Sequence, residues 1–141
     1  MDLKKFDSLI FDVDVTIWDT TPIVVPAWNE ALDEMDLSYA HVTPDDLKGL
    51  FGKPMDEIIE RILPKESKDI REKYKYLCYE KEGVAVGSTG GKLYPHVKET
   101  FEALSKKYNL YIVSNCQSGY IEMMLKVTGF APLFLDHACY G

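Results

Sequence analysis

Short runs of consecutive apolar residues alternate with longer stretches of helical periodicity along this chain. The clearest runs cover residues 9–11 and 110–113, and a weaker one covers residues 133–135. Runs of this length that are apolar at every position are typical of strands buried on both faces of a parallel sheet. The pattern therefore predicts three parallel strands with helices packed over them.

Two helices are predicted beside the second apolar run, one before it and one after it, each with one stripe facing the sheet. The stripe of the first is Val97, Phe101, Leu104 and Tyr108, and that of the second is Ile121, Met124, Leu125 and Thr128. Both sets follow the helical repeat, so each helix is expected to pack one face on the sheet. Gly129 is expected to end the second helix.

The stretch between the first two strands has a different character. Residues 22–82 contain four apolar stripes at helical spacing and no convincing strand pattern. Thr43 and Pro44 have the form of a helix start, with a capping hydroxyl followed by a proline in the first turn. Residues 83–91 contain four glycines and are interpreted as a linker.

This order of elements predicts an α/β protein with a parallel sheet. Residues 1–19 and 88–141 are expected to form a discontinuous core, and residues 20–87 a four-helix cap inserted after the first strand. The cap is expected to move against the core, because closure of such a unit excludes water from a bound substrate.

Composition narrows the functional classes. The 141 residues carry 16 Lys and Arg against 23 Asp and Glu, a formal net charge of −7, which argues against a nucleic-acid partner. No apolar run approaches the length of a membrane helix, so no membrane partner is expected. The three cysteines form no CxxC pair, and together with an N-terminus unlike a secretory signal they favour a cytoplasmic location.

Two acids carry the sharpest chemical signal in the sequence. Asp12 and Asp14 follow directly after the first predicted strand, and ligands of parallel sheets bind at the carboxyl ends of strands. The pair could act as nucleophile and acid or base, or as ligands of a hard cation. Equally, the two acids could simply cap the turn that follows the strand.

Ser114 and Asn115 follow the second strand in the same way. A hydroxyl and loop amides beside a helix N-terminus can bind an anion, although capping of the next helix is the simpler interpretation. Lys53, between two cap helices, could reach an anionic substrate or be an ordinary surface lysine. Both strand-end groups belong to one predicted sheet, and together they fit phosphoryl transfer.

At these residues the chain resembles the haloacid dehalogenase superfamily of phosphohydrolases. Residues 11–16, with Asp-x-Asp-x-Thr after an apolar strand, look like its first motif, and residues 112–115 look like its second. The helical insertion resembles the small cap of the phosphoglycolate phosphatase and β-phosphoglucomutase branch. The resemblance covers nearly the whole chain and implies a Rossmann-like core.

The resemblance also implies residue roles. Asp12 would attack phosphorus and form an aspartyl-phosphate, and Asp14 would protonate the leaving oxygen and then activate water. Mg²⁺ would be held by the carboxylate of Asp12 and the backbone carbonyl of Asp14, Thr16 would brace the loop at the substrate, and Ser114 would hydrogen-bond the phosphoryl group. A cation is expected on electrostatic grounds, since a carboxylate and a phosphate dianion repel each other. The substrate would be a small phosphorylated metabolite.

The sequence departs from the family in two places. Val15 stands where many members have glycine, and a β-branched residue restricts the backbone there. The chain also reaches Gly141 at about the point where a later lysine and a later acidic pair would begin. A truncated or degenerate protein that binds phosphate or a partner without catalysis is therefore an alternative, as is a phosphosugar mutase.

The same comparison predicts an incomplete sheet. In the family the first strand is central, whereas this sequence supplies strands on one side of it only. An unpaired apolar edge invites pairing with another chain, so the 141-residue chain is expected to be marginally stable or to self-associate.

Overall fold

The computed structural model describes residues 3–141, which divide into two compact units. One unit is residues 3–19 together with Lys92–Gly141, and the other is Thr20–Gly91. The strands are β1 (Ser8–Phe11), β2 (Trp18–Asp19), β3 (Lys92–Leu93), β4 (Asn109–Ser114) and β5 (Asp136–Cys139). The helices are α1 (Thr21–Glu34), α2 (Pro44–Leu50), α3 (Met55–Ile62), α4 (Lys68–Thr89), α5 (Val97–Leu104) and α6 (Tyr120–Thr128).

The core unit is built on a parallel sheet with the strand order β1-β4-β5. Leu9 lies opposite Leu110, and Phe11 lies opposite Ile112. This register aligns the carboxyl ends of β1 and β4 at one edge of the sheet. The predicted α/β class with a parallel core is therefore confirmed.

One face of this sheet is covered by an aromatic cluster. The ring of Phe101 in α5 lies 4.9 Å from that of Phe11, 5.4 Å from that of Phe130 and 5.1 Å from that of Phe134, all edge to face. Such pairs stabilise a core beyond the burial of their area. The opposite face is open: Ile10 is 68% exposed and Val113 is 51% exposed.

The third strand lies later than the sequence predicted. Residues 131–133 form a 3-10 turn that contains Pro132, and β5 begins only at Asp136. Phe134 is buried in the aromatic cluster and Leu135 is 65% exposed. The prediction of a strand at 133–135 was therefore wrong. These apolar residues precede β5, and Phe134 packs in the aromatic cluster.

Two short antiparallel strands, which the sequence did not predict, pair where the chain leaves the core unit and where it returns. This pair of strands, β2 and β3, is called the hairpin below. Trp18 pairs with Leu93 and Asp19 with Lys92, antiparallel. Strands of two residues are too short to produce an alternating pattern. Tyr94 also donates its backbone N–H to the carbonyl of Ile17 at 3.2 Å, which extends the hairpin towards the loop after β1.

The other unit contains the four predicted helices α1–α4. Its core is formed mainly by α1 and α4, where Trp28, Leu32, Tyr74, Cys78 and Val86 are buried. The predicted start of α2 is confirmed. The Thr43 hydroxyl accepts from the Asp46 N–H, and the Asp46 carboxylate accepts from the Thr43 N–H, which makes a capping box.

The predicted linker at 83–91 is wrong for most of its length, because α4 continues to Thr89. Val86 is fully buried and anchors this part of the helix. The hydroxyls of Ser88 and Thr89 donate to carbonyls one turn earlier, at 2.6 and 2.9 Å. The helix ends at Gly90, whose φ of 69° ordinary residues rarely adopt. Glycine content alone was a poor guide where apolar anchoring persists.

Candidate active site

Asp12 and Asp14 lie in the loop that follows β1 in the core unit. Asp12 is exposed and accepts the backbone N–H of Val13 through Oδ1 at 2.8 Å. The loop is tightly turned: Ile17 donates to the carbonyl of Val13 at 2.8 Å, and Val15 donates to that of Trp18 at 3.1 Å. Backbone bonding therefore fixes where both carboxylates leave the main chain.

Asp14 has a more demanding environment than Asp12. It is half-buried, and its Oδ1 accepts a 2.8 Å hydrogen bond from the hydroxyl of Tyr120. Burial raises the pKa of Asp14 to about 6; the Tyr120 hydrogen bond opposes this, the charge of Asp12 adds to it, and the Trp18 indole opposes it again. A carboxyl group that titrates this close to neutrality can both give and take a proton.

The backbone between the two acids and the hairpin is strained. Val15 has φ of +52°, in the left-handed region that a β-branched residue disfavours. The restriction expected of valine at this position is therefore present. Trp18 is fully buried and its indole Nε1 makes no hydrogen bond of ordinary geometry. A strained residue in such a loop is typical of functional positions.

Ser114 ends β4 and is buried, and Asn115 follows it in an exposed position. The Ser114 hydroxyl hydrogen-bonds the thiol of Cys116 and slightly offsets the burial that raises the pKa of Cys116 to about 12. The thiol therefore stays protonated at neutral pH. Both predicted phosphate-binding residues lie at the carboxyl end of β4, next to the carboxyl end of β1 that carries Asp12 and Asp14.

The expectation that Ser114 or Asn115 caps the next helix is wrong. Helix α6 begins at Tyr120, and its N-cap is Gly119, which has φ of 86° and no side-chain cap. The intervening residues 115–118 form a loop. The left-handed glycine turns the chain into the helix, so no polar cap was needed at the strand end.

The remaining predicted residues lie in different places. Thr16 is an exposed residue in the loop after β1, and its N–H donates to the carbonyl of Val13 at 3.2 Å. Lys53 belongs to the helical unit, between α2 and α3, and its Nζ lies 2.7 Å from Glu57 Oε1. The structure thus brings Asp12, Asp14, Thr16 and the Ser114–Asn115 pair to one strand edge.

The donor chemistry of this site suits a hard cation. Asp12 and Asp14 supply carboxylate oxygens, and their mutual repulsion contributes to the raised pKa of Asp14. Within residues 3–141, no group of three or more His, Cys, Asp or Glu side chains is arranged to hold a metal ion. Two carboxylates still fit Mg²⁺, which commonly binds through one or two of them and keeps water or phosphate as its other ligands.

Sequence reasoning did not assign Tyr120 to the site. The residue is 106 positions away from Asp14, and a tyrosine at the start of an apolar stripe is usually a core residue. The available signal was indirect, since Tyr120 opens the helix after β4 and β4 is adjacent to β1. A helix start beside the acidic strand end is a natural place for a side chain that contacts the acids.

Together these features define an α/β protein with a paired-carboxylate site at the carboxyl end of its first strand. The sequence profile of the haloacid dehalogenase-like hydrolases matches residues 9–138, and the chain belongs to that family. Across residues 3–141, no helix combines the length and apolar character needed to cross a membrane.

Individual relatives share the fold over most of this chain. Pyrophosphatase PpaX of Bacillus velezensis is 26% identical over 93% of the chain, and phosphoglycolate phosphatase of Pasteurella multocida is 28% identical over 95%. The chain spans 58% and 62% of the lengths of these two proteins. The crystal structure of a predicted phosphoglycolate phosphatase from Haemophilus somnus superimposes with a TM-score of 0.85 at 24% identity, over 96% of this chain and 63% of that one.

Proposed function

We propose that the protein is a Mg²⁺-dependent phosphatase that hydrolyses a small phosphorylated metabolite through an aspartyl-phosphate on Asp12. The observation that carries the proposal is the pair of acids at the end of β1. One acid is exposed, and the other is half-buried with its pKa raised to about 6. Different environments for two neighbouring carboxylates suit them to different roles.

The exposed carboxylate of Asp12 is suited to attack. One of its oxygens bonds to phosphorus while the bond from phosphorus to the ester oxygen breaks, and Asp14 gives its proton to that oxygen. In the second half, water attacks the phosphorus of the aspartyl-phosphate while the bond from phosphorus to the Asp12 oxygen breaks. Asp14 takes a proton from the water, inorganic phosphate leaves, and the Asp12 carboxylate is restored. The buried hydroxyl of Ser114 is proposed to bind the phosphoryl oxygens, with Asn115 beside it, while Thr16 holds the loop.

Mg²⁺ would be held by Asp12 and Asp14, and it would neutralise the charge shared by carboxylate and phosphate. The hydrogen bond from Val13 N–H engages only Oδ1 of Asp12. The Oδ2 atom would then be the natural ligand atom for the cation.

Residues 20–87, which lie in the helical unit, are proposed to act as a cap. Lys53 is proposed as the cap's contact to the anionic substrate. Support comes from charge, because Lys53 is the basic residue that lies between α2 and α3. Its Nζ is held by Glu57, which also lies 3.0 Å from Arg61. Lys53→Gln should raise KM and leave kcat near wild type. Lys75→Gln is the control, since Lys75 makes a similar ion pair with Asp56 at 2.8 Å.

The test of the proposal is hydrolysis of p-nitrophenyl phosphate by the 141-residue chain, with and without Mg²⁺. Asp12→Asn keeps the shape of the side chain and removes the attacking charge, so it should abolish hydrolysis and phosphorylation of the protein. Asp136→Asn is the matched control, because Asp136 lies at the amino end of β5. It should leave hydrolysis and phosphorylation unchanged. Activity at the wild-type level in Asp12→Asn would refute the assignment.

A second candidate function is phosphate or partner binding without turnover. The observation behind it is that residues 3–141 contain no group of three or more His, Cys, Asp or Glu side chains arranged to hold a metal ion. Binding of inorganic phosphate that depends on Ser114, measured by calorimetry in a protein without hydrolytic activity, would support this alternative.

Two further properties are proposed. Copies of the chain are proposed to associate through the edge of β1, which pairs with β4 on one side only within the described residues.

A cytoplasmic location is supported by the three free cysteines, Cys78, Cys116 and Cys139, since thiols persist in reducing compartments. Fractionation of cells that express the protein tests the location.

A further inference from the structure

Tyr120 makes a contact with the site that is unusual for a core residue. Its ring is only 4% exposed, yet its hydroxyl reaches out of the core to donate to Asp14 Oδ1 at 2.8 Å. The ring packs edge to face on Trp18, with 6.3 Å between centroids. Because Gly119 adopts a left-handed conformation, α6 begins at Tyr120 itself. The packing on Trp18 and the start of α6 therefore position the hydroxyl.

We propose that Tyr120 is a positioning residue that holds the Asp14 carboxylate in one orientation for proton transfer, an inference that rests on the proposed function. The backbone bonds of the loop fix where the Asp14 side chain begins, but they do not fix its rotation. The hydrogen bond from Tyr120 to Oδ1 restricts that rotation, with the Trp18 indole as a weaker second contact, and it determines where Oδ2 lies. Proton transfer is sensitive to such placement, because the group must lie within hydrogen-bond reach of the oxygen it serves.

A hydroxyl is well suited to this task. It donates to an ionised carboxylate and can accept from a protonated one, so the contact is possible in both states of Asp14. Phenylalanine would fill the same space and keep the packing on Trp18. It would lose the contact with Asp14.

The competing explanation is that a buried tyrosine hydroxyl simply needs a partner and that Asp14 happens to satisfy it. In that case, removal of the hydroxyl would affect stability and leave the orientation of Asp14 unchanged. Tyr74 offers a matched comparison. It is fully buried, and its hydroxyl donates to the carbonyl of Trp28 at 3.4 Å, in the helical unit.

The experiment compares Tyr120→Phe with Tyr74→Phe in the full chain by two measurements. Three-bond NMR couplings to Cγ of Asp14 report its side-chain rotamer without any need for turnover. Hydrolysis of p-nitrophenyl phosphate with Mg²⁺ gives kcat and KM across pH. For Tyr120→Phe we expect averaged couplings, a loss of kcat of about tenfold, a KM changed by less than about twofold and an altered pH profile. For Tyr74→Phe we expect none of these.

Several results would overturn the inference. Couplings of Asp14 that are unchanged in Tyr120→Phe would do so whatever the kinetics. So would a rise in KM at constant kcat, which would mean a contact with substrate, or an equal loss in Tyr74→Phe, which would mean a general effect on folding. If the wild-type chain shows no turnover, the proposed function fails, while the couplings still decide whether Tyr120 orients Asp14.

Discussion

At the scale of single residues, the loop after β1 holds several groups in states that folding alone disfavours. Asp14 keeps a desolvated carboxyl beside the charge of Asp12. Val15 has a positive φ, and the indole N–H of Trp18 is buried without a hydrogen bond of ordinary geometry. Each feature has a cost in stability, and sites that perform chemistry commonly retain such costs.

Replacement of Asp14 by Asn should therefore stabilise the protein at neutral pH. The pKa of Asp14 is higher in the folded protein, about 6, than its ordinary value of 3.8. The penalty for its charge is absent below the lower value, grows between the two, and is complete above about pH 6. Solvent screens a half-buried group, so the expected gain for Asp14→Asn is about 1–2 kcal/mol above that pH.

Urea unfolding in EDTA, at about pH 7.5 and about pH 4, checks this prediction. The gain from Asp14→Asn should shrink strongly at the lower pH. The exposed residue Asp136 provides the control, because Asp136→Asn should change little at either pH. A variant of Asp14 that is less stable than wild type at the higher pH would contradict the explanation.

The strain at Val15 leads to a prediction of the opposite sign from the usual effect of glycine. Val15→Gly relieves a left-handed conformation that costs an ordinary residue about 1–2 kcal/mol, against a loss of about 0.5–1 kcal/mol in backbone entropy. The free energy of unfolding should stay the same or rise by up to about 1 kcal/mol.

Val127 in α6 is a close match, because it is 41% exposed against 39% for Val15. It lies within a helix, so Val127→Gly should lower the free energy of unfolding by about 1 kcal/mol. Chemical denaturation of both variants measures the contrast. Equal losses in the two would show that positive φ at Val15 stores no strain.

At the scale of elements, the sequence predicted those features that rest on apolar periodicity. The stripes of α1, α3, α4 and α6 and the strands β1 and β4 follow it directly. Prediction failed where a residue type has two physical uses. Glycines at 83–91 lie mostly inside α4, because Val86 anchors the helix, and apolar residues at 133–135 pack the entrance of β5. The contact of Tyr120 with Asp14 depends on strand adjacency, which no local pattern encodes.

The capping box of α2 gives a prediction at this scale. Thr43→Ala removes the hydroxyl that accepts from Asp46 N–H, and it should lower the free energy of unfolding by about 1 kcal/mol at about pH 7. Hydrogen bonds from the Thr43 side chain, then from its backbone, hold the pKa of Asp46 below its usual range. The stabilisation from Asp46 is therefore present above that range and is lost as the pH falls through the lowered pKa.

Denaturation at about pH 7 and about pH 3 should show a smaller effect of Thr43→Ala under acid conditions. Ser67→Ala is the matched control. Ser67 caps α4 by accepting from Ile70 N–H at 3.4 Å, but no reciprocal acid is part of that cap. Its effect should be smaller and should depend less on pH.

At the scale of the whole molecule, the notable feature is a parallel sheet with one bare face and with unpaired edges at β1 and β5 among the described residues. Parallel sheets are usually covered on both faces, and here Ile10 and Val113 are the exposed apolar residues of the uncovered one. Both belong to runs that the sequence marked as buried on two sides. The runs therefore predicted a more complete covering than residues 3–141 provide.

Association through the unpaired edge of β1 can be tested with one charged residue. Ile10→Lys places an ammonium group on β1, and a lysine on an edge strand opposes pairing. We expect the wild-type chain to form dimers or larger species in sedimentation experiments and Ile10→Lys to shift towards the monomer. Val84→Lys is the control, because Val84 in α4 is equally exposed, at 68%. A wild-type chain that stays monomeric at all concentrations would contradict the proposal.

The small hairpin of β2 and β3 has a consequence for how such a protein can be rearranged. Asp19 and Lys92 are paired across it, so the main chain leaves the sheet-containing unit and returns to it at neighbouring points. A tight turn of two residues can join partners of this kind. Genetic exchange at this junction could therefore replace everything from 20 to 91 with another segment, short or long, without altering the spacing of the two flanking strands. The junction is a ready site for grafting, at which recombination can exchange the inserted segment and keep the sheet-containing unit.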